Sequence, residues 1–134
     1  MHRWFLITAS LIGALSVALG AFAAHGLKKI AAADTVAIFE TGVRYQFYHT
    51  FALLAVAVIY EKYPGSLLQW AGNCFQAGII LFSGSLYILT VLKVMENSKG
   101  QLLTAIFTPF GGLFFIAGWI LMVMAFIKKG AVHE

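Results

Sequence analysis

The chain has 134 residues, of which 61% are hydrophobic and only 10% charged, against roughly 25% charged in soluble domains. So little polar surface excludes a soluble fold of this size, and no stretch is polar enough to form a separate soluble enzyme head. The formal charge of +4 is scattered over Arg3, Lys28, Lys29, Arg44, Lys62, Lys93, Lys99, Lys128 and Lys129 without a basic stripe. That pattern speaks against nucleic acid and for cations parked at membrane edges beside anionic headgroups.

Apolar runs at 4–24, 47–60, 67–92 and 102–127 leave only short polar gaps. A hydrocarbon core of ~30 Å needs ~20 mainly apolar residues per helix. The runs therefore predict an all-α, four-transmembrane-helix bundle in a single domain over 1–134. The helices are expected at about 4–24, 34–60, 66–92 and 101–127.

The first run begins after Arg3 and ends in Ala21, Phe22 and Ala23, which imitates a secretory signal with a small-residue cleavage site. It is longer than the usual ~7–15-residue signal core, so it is read as a retained helix. Ser16, Gly20 and Ala24 stand four apart with Gly13 nearby, a spacing that lets helix backbones approach closely in lipid. The helix is expected to stop near His25 and Gly26.

Asp34 or Thr35 is the expected cap of the second helix. No proline interrupts it up to Tyr60, and its first three turns are placed at or near the interface. Glu40 and Arg44 stand four apart and can pair. Pro64 and Gly65 end the next turn, where Ser66 and Gln69 have the spacing of a capping box for the third helix. The gap at 93–100 is closed by Asn97 and Gly100.

Pro109 lies inside the fourth run, where it removes a backbone donor and crowds the preceding turn. Either the helix kinks there, or Thr108 caps a fresh helix with Pro109 at its first position. The continuous helix kinked at Pro109 is preferred. Four crossings place both termini on one side. The basic residues divide as Arg3, Lys62, Lys128 and Lys129 against Lys28, Lys29, Arg44, Lys93 and Lys99, a balance that does not assign the inside.

Polar residues at membrane depth are costly without partners, so chemistry is sought there. Gly42, Tyr45, Gln46 and His49 fall on one side of the second helix, with Glu40, Arg44 and Tyr48 opposite. One face thus offers an imidazole, an amide and a phenol. It reads either as a proton-relay or solute-binding face or as interhelical hydrogen-bonding glue. Tyr45, Gln46 and His49 are the leading candidates. His25, Glu40, Arg44, Ser83, Ser85, Tyr87 and Thr108 are secondary ones.

Gly84 between Ser83 and Ser85 suits close packing with hydroxyls bonding across helices. No carboxylate is placed to orient His49 as a base for a serine nucleophile, and Ser83-Gly84-Ser85 is not a nucleophile elbow. His25 and His49 lack metal-ligand spacing, and His2 and His133 are terminal and uninformative. Cys74 is the single cysteine, so it forms no intrachain disulfide and no cysteine metal cluster. Trp4 and Trp70 lie near helix ends as interfacial anchors do. Trp119, with Gly111, Gly112, Gly118, Phe114 and Phe115, reads as packing and lipid contact. No metal or other cofactor is expected.

The same segments resemble a known family. The stretches are residues 20–26 (GAFAAHG), Thr41-Gly42 with Tyr45-Gln46 leading to His49, residues 81–87 (LFSGSLY), Thr108-Pro109 with Gly111-Gly112, and Gly118-Trp119. Together they are similar to the YgdD-like small membrane proteins, family 423 of the domains of unknown function. Relatives often have glycine where Ala23 stands. The resemblance implies a multi-pass protein of the bacterial inner (plasma) membrane with cytoplasmic termini, and it brings no activity. The expected function is therefore non-enzymatic. The chain would act in the bilayer through helix packing, in a homo-oligomer or with a membrane-protein partner. The alternative is a small transporter or channel, proton-coupled or passive, using the polar face of helix two. That alternative requires a polar path, and a closed contact around His49 would count against it.

Overall fold

The computed structural model describes residues 1–130 and the side chains of 1–128, so His133 lies outside the described residues. Every regular element among them is helical. They are α1 (Arg3–Ala24), a 3-10 turn (Leu27–Lys29), α2 (Ala33–Ile59), α3 (Ser66–Gly78), a π-helical segment (Ile79–Ser83), α4 (Gly84–Val94), α5 (Ser98–Ala105) and α6 (Phe107–Gly130). Three stretches are long and apolar enough to cross a membrane: Arg3–Lys29, Ser66–Val94 and Ser98–Lys128.

The helix missing from that set, α2, is the best buried. It packs on α1, α3, the π segment and α4, and it contributes Ala52, Leu53, Val56 and Ala57 to the main core beside Phe5, Leu68 and Phe75. Asp34, Glu40, Arg44, Gln46 and His49 make it the least apolar of the long helices. Polar side chains in a bilayer favour the bundle interior over lipid, and the more apolar helices wrap around this one. A second cluster of Ala23, Leu27, Val36, Phe39 and Val43 closes the other end.

Small residues set the α1–α2 distance. A β-carbon on Gly13 would meet Thr50 at 3.6 Å and one on Gly20 would meet Val43 at 3.6 Å, while Ser16 is fully buried between them. Ala24, expected on the same stripe, is exposed, and Ala23 takes the buried place.

The third rod differs from a plain α-helix. Its backbone widens over Ile79–Ser83, where the Gly84 N–H reaches the Ile79 carbonyl five residues back. The fourth run, expected as one helix kinked at Pro109, is two helices with a break at Ile106. Pro109 lies in the first turn of α6. Its ring would crowd the carbonyl four residues earlier, that of Ala105, and this is where α5 ends.

Two expected caps differ. Ala32, without a side-chain bond, precedes α2 in place of Asp34 or Thr35. Gly65 precedes α3. α1 stops where expected, with His25 as its cap, and Gly26 after it keeps a right-handed backbone at φ −71°. The left-handed residue that ends a helix is Glu96, at φ 57°. Its N–H bonds the Lys93 carbonyl at 3.1 Å and the Asn97 N–H bonds that of Leu92 at 2.9 Å, a Schellman ending. The Asn97 side chain then accepts from the Gly100 N–H at 2.9 Å and starts α5.

Candidate functional site

The polar residues of α2 occupy two separate buried sites. The α-helix carries Gln46 and His49 three apart, about 300° around the axis, and different neighbours receive them. Gln46 faces α1 and α4. Its amide nitrogen donates to Ser16 Oγ at 2.8 Å and, at 3.4 Å, to the Ile12 carbonyl. Its amide oxygen accepts from the Tyr87 hydroxyl at 2.8 Å. Ser16 passes its own proton to the Ile12 carbonyl at 2.8 Å, and Thr50 donates to the Gln46 carbonyl at 2.7 Å. A β-carbon on Gly42 would stand 2.8 Å from the Tyr87 ring, so glycine there admits the phenol to Gln46.

His49 faces α3 and α6. Its Nδ1 lies 2.8 Å from the Tyr45 carbonyl, which can only accept. Nδ1 therefore carries the proton, and Nε2 accepts the Trp119 indole N–H at 3.2 Å. The neutral ring stacks on Phe115, with centroids 3.5 Å apart and planes 8° from parallel. Phe75 and Trp119 flank it. Glycines make room for these rings: Gly78 lies against Phe115 and Gly118 against Phe75. His49 is 5% exposed, and both of its nitrogens are committed.

A third junction lies at the π segment. Buried Ser83 donates to the Gly42 carbonyl at 2.7 Å. Ser85 donates to the Phe82 carbonyl at 2.8 Å, which leaves Thr108 as donor in the 2.7 Å bond between the two hydroxyls. Gly111 of α6 lies directly against the Phe82 backbone nitrogen. Widened π turns frequently mark functional places. Here the turn is where α2, α4 and α6 are pinned together.

The expected convergence of Tyr45, Gln46 and His49 on one surface does not occur. Tyr45 is 38% exposed, with its ring against Phe82, and the phenol bound to Gln46 is that of Tyr87. Glu40 is half-buried and Arg44 exposed. Only Met1–Glu61 and Asp34–Lys93 form ion pairs among the described residues, so Glu40 and Arg44 do not pair. His25 is an exposed residue ending α1, with its backbone N–H on the Ala21 carbonyl. Ser83 and Ser85 give their protons to carbonyls and have no base beside them. Among the described residues no three His, Cys, Asp or Glu side chains come together to hold a metal.

Sequence reasoning read Trp119 and Phe115 only as packing and lipid contact, without a link to His49. Their four-residue spacing puts them on one face, but only the fold brings that face to His49. It also passed over His2, which caps α1 by accepting the Phe5 N–H at Nδ1 (3.3 Å) and donates from Nε2 to Gln69 at 2.6 Å. Gln69, expected in a capping box, is engaged by His2 instead.

An all-helical bundle with apolar outer faces, and with buried amides and hydroxyls bonded between helices, defines a small helical membrane protein. Residues 19–112 match a family described as "Protein of unknown function (DUF423)", and the chain belongs to that family. It is 39% identical over 135 residues to the UPF0382 inner membrane protein YgdD of Escherichia coli K12, covering 98% of each chain. It is 42% identical over 125 residues to the UPF0382 membrane protein YwdK of Bacillus subtilis, covering 92% of this chain and 96% of that one. The membrane protein SH2409 of Staphylococcus haemolyticus is 38% identical, with 94% and 97% covered. No solved structure matches the chain.

Proposed function

We propose that this is a four-helix, multi-pass protein of the plasma (inner) membrane, with both termini cytoplasmic, that acts without enzymatic chemistry through packing of its outer surface in a homo-oligomer. The carrying observation is that the interior is chemically closed. Among the described residues no buried side-chain nitrogen or oxygen lacks a partner, and His49, Gln46, Ser83 and Tyr87 all spend their bonds on neighbouring helices or on their own backbone. What remains available to other molecules is the outside. The 27 residues of α2 extend about 40 Å at ~1.5 Å per residue, enough to serve as the fourth crossing. The Escherichia coli relative is named an inner membrane protein, which supports the location.

A transport route along α2 is the weaker reading. To bind a proton at Nε2, or a solute there, His49 would have to give up the bond from the Trp119 N–H inside a shell of aromatic rings. Chemical cross-linking of the chain in native membranes tests the assembly. Discrete multiples of the 14.6 kDa monomer are expected on a denaturing gel. Monomer alone at every cross-linker concentration would overturn the proposal.

A further inference from the structure

Helix α2 is mostly enclosed, yet one strip of it is open: Ala37, Arg44, Tyr48, Phe51 and Val58 are exposed, with half-buried Glu40 one turn before Arg44. The spacings of seven, four, three and seven residues keep one face of a helix. With α2 as a crossing, Arg44 falls inside the membrane and not at the edge where its charge alone would put it. It stands ten residues beyond Asp34, about 15 Å along the axis at ~1.5 Å per residue. Its neighbour Val43 packs beside Gly20 of α1, and the Gly42 carbonyl accepts from Ser83. Gly20 and Ser83 both lie inside stretches of membrane-crossing length and hydropathy, Arg3–Lys29 and Ser66–Val94. An exposed arginine at that level would face hydrocarbon, which is costly for a charge without a partner. Neither Arg44 nor Glu40 forms an ion pair among the described residues.

We infer that this strip of α2 is an interface for a second copy of the chain, in which Glu40 of each copy pairs with Arg44 of the other. The inference rests on the self-association proposed above and names its surface. Charge complementarity selects the occupant. The strip presents one anion and one cation a turn apart, about 6 Å along the axis at ~1.5 Å per residue. A two-fold axis along the membrane normal sets two α2 helices side by side and parallel with like residues level, so each Arg44 side chain reaches back one turn to the partner's Glu40, and the contact is reciprocal as two-fold symmetry requires. Arginine suits such a pair because its planar fork binds a carboxylate at two points and it is more weakly hydrated than lysine. Tyr48 and Phe51 supply flat apolar area beside the pair.

The test uses full-length chains in native membranes. Cys74, the single cysteine, is replaced by Ala, and Tyr48→Cys provides an oxidative cross-link. The parent is expected to cross-link at position 48. Glu40→Arg alone and Arg44→Glu alone should each lower the cross-linked fraction about tenfold, since each then faces like charges. Co-expression of the two reversed chains under different tags should restore it as the mixed dimer, which also shows that both chains fold. Three results would overturn the inference: a parent that forms chemically cross-linked oligomers but no disulfide at position 48, reversed chains that cross-link as well as the parent, or a mixture that fails to recover. A parent that is monomeric to every cross-linker overturns the proposed self-association as well.

Discussion

His49 is held by a carbonyl on one nitrogen, an indole on the other and a phenyl ring against its face, so its removal acts on packing and hydrogen bonding together. His49→Ala leaves a cavity between Phe75 and Phe115 and strands the Trp119 N–H. A loss of about 2–4 kcal/mol is expected, by analogy with large-to-small core substitutions. His49→Phe keeps the stack and loses only the two hydrogen bonds, so it should lose roughly half as much. Thermal melting of parent and variants in one detergent reads both, and an unchanged or raised melting temperature for His49→Ala would mean the ring is kept for something other than structure. The helix-spacing argument grouped Tyr45, Gln46 and His49 but did not reach where they point. Spacing places side chains on one helix, whereas their partners (Ser16, Tyr87, Phe115 and Trp119) come from three others, and nothing in the order of residues along the chain states which helices are neighbours. A different residue-scale pair closes the far end. Asp34 accepts from Lys93 Nζ at 3.0 Å, and that bond together with the Thr35 backbone N–H holds its carboxyl below the ordinary value. A carboxyl depressed in the folded state stabilises it above the unfolded pKa and loses the contribution as pH falls through the folded one. The melting difference between parent and Asp34→Asn should therefore be constant near neutrality and vanish on acidification through the range just below the ordinary carboxylate pKa. A difference that persisted at the lowest pH would rule out the ion pair as its source.

Neighbouring glycines in α6 have opposite surroundings, which gives the element scale a controlled comparison. A β-carbon on Gly111 would land on the backbone of Phe82, in the π segment, whereas one on Gly112 meets nothing within 4 Å. Backbone cannot swing aside as a side-chain tip can. Gly111→Ala should therefore cost at the upper end of the ~1–3 kcal/mol typical of overpacking. Gly112→Ala should be neutral or gain up to ~1 kcal/mol from helix propensity. Equal effects in melting experiments would mean that the π segment does not hold α6 at this point. Glu96 offers the converse test. It occupies the left-handed position of the Schellman ending, where a β-carbon costs ~1–2 kcal/mol, and it is exposed without an ion pair among the described residues. Glu96→Gly should raise stability by about 1 kcal/mol, and a fall in melting temperature would show that the side chain has a role outside the turn. These elements mark what sequence patterning reaches. Long apolar runs and Pro-Gly punctuation announce rods and turns. The π widening, the break at Ile106 ahead of Pro109 and the glutamate in a place usual for glycine all depend on how one rod is fitted against the next.

The folded chain returns to its starting end. The Met1 amino group lies 3.6 Å from the Glu61 carboxylate, the His2 N–H bonds the Ala57 carbonyl at 2.9 Å, and the Tyr63 ring meets Phe126 near the end of α6 at 5.3 Å. One end of the bundle thus gathers the N-terminus, the α2–α3 turn and the last turns of α6. The Asp34–Lys93 pair and the turn at Glu96 and Asn97 lie at the other. With α2 as a crossing, this arrangement puts Met1 and the last turns of α6 on one side of the membrane and the turn at Glu96 and Asn97 on the other. Every connection is short, so no segment can be placed on the wrong side without pulling α2 out of the core that Leu53, Val56 and Ala57 share with Phe5 and Phe75. Reporters fused before Met1 and beyond α6 should therefore give the same answer, and one inserted between Glu96 and Asn97 the opposite. With cytoplasmic termini, a fluorescent protein that matures only inside the cell should light at both chain ends, and a phosphatase active only outside should work in the turn. If the two end fusions instead reported different sides, α2 would not span the bilayer. Arg44 would then lie at the interface with its charge solvated, and neither the four-crossing bundle nor the paired α2 strips would survive.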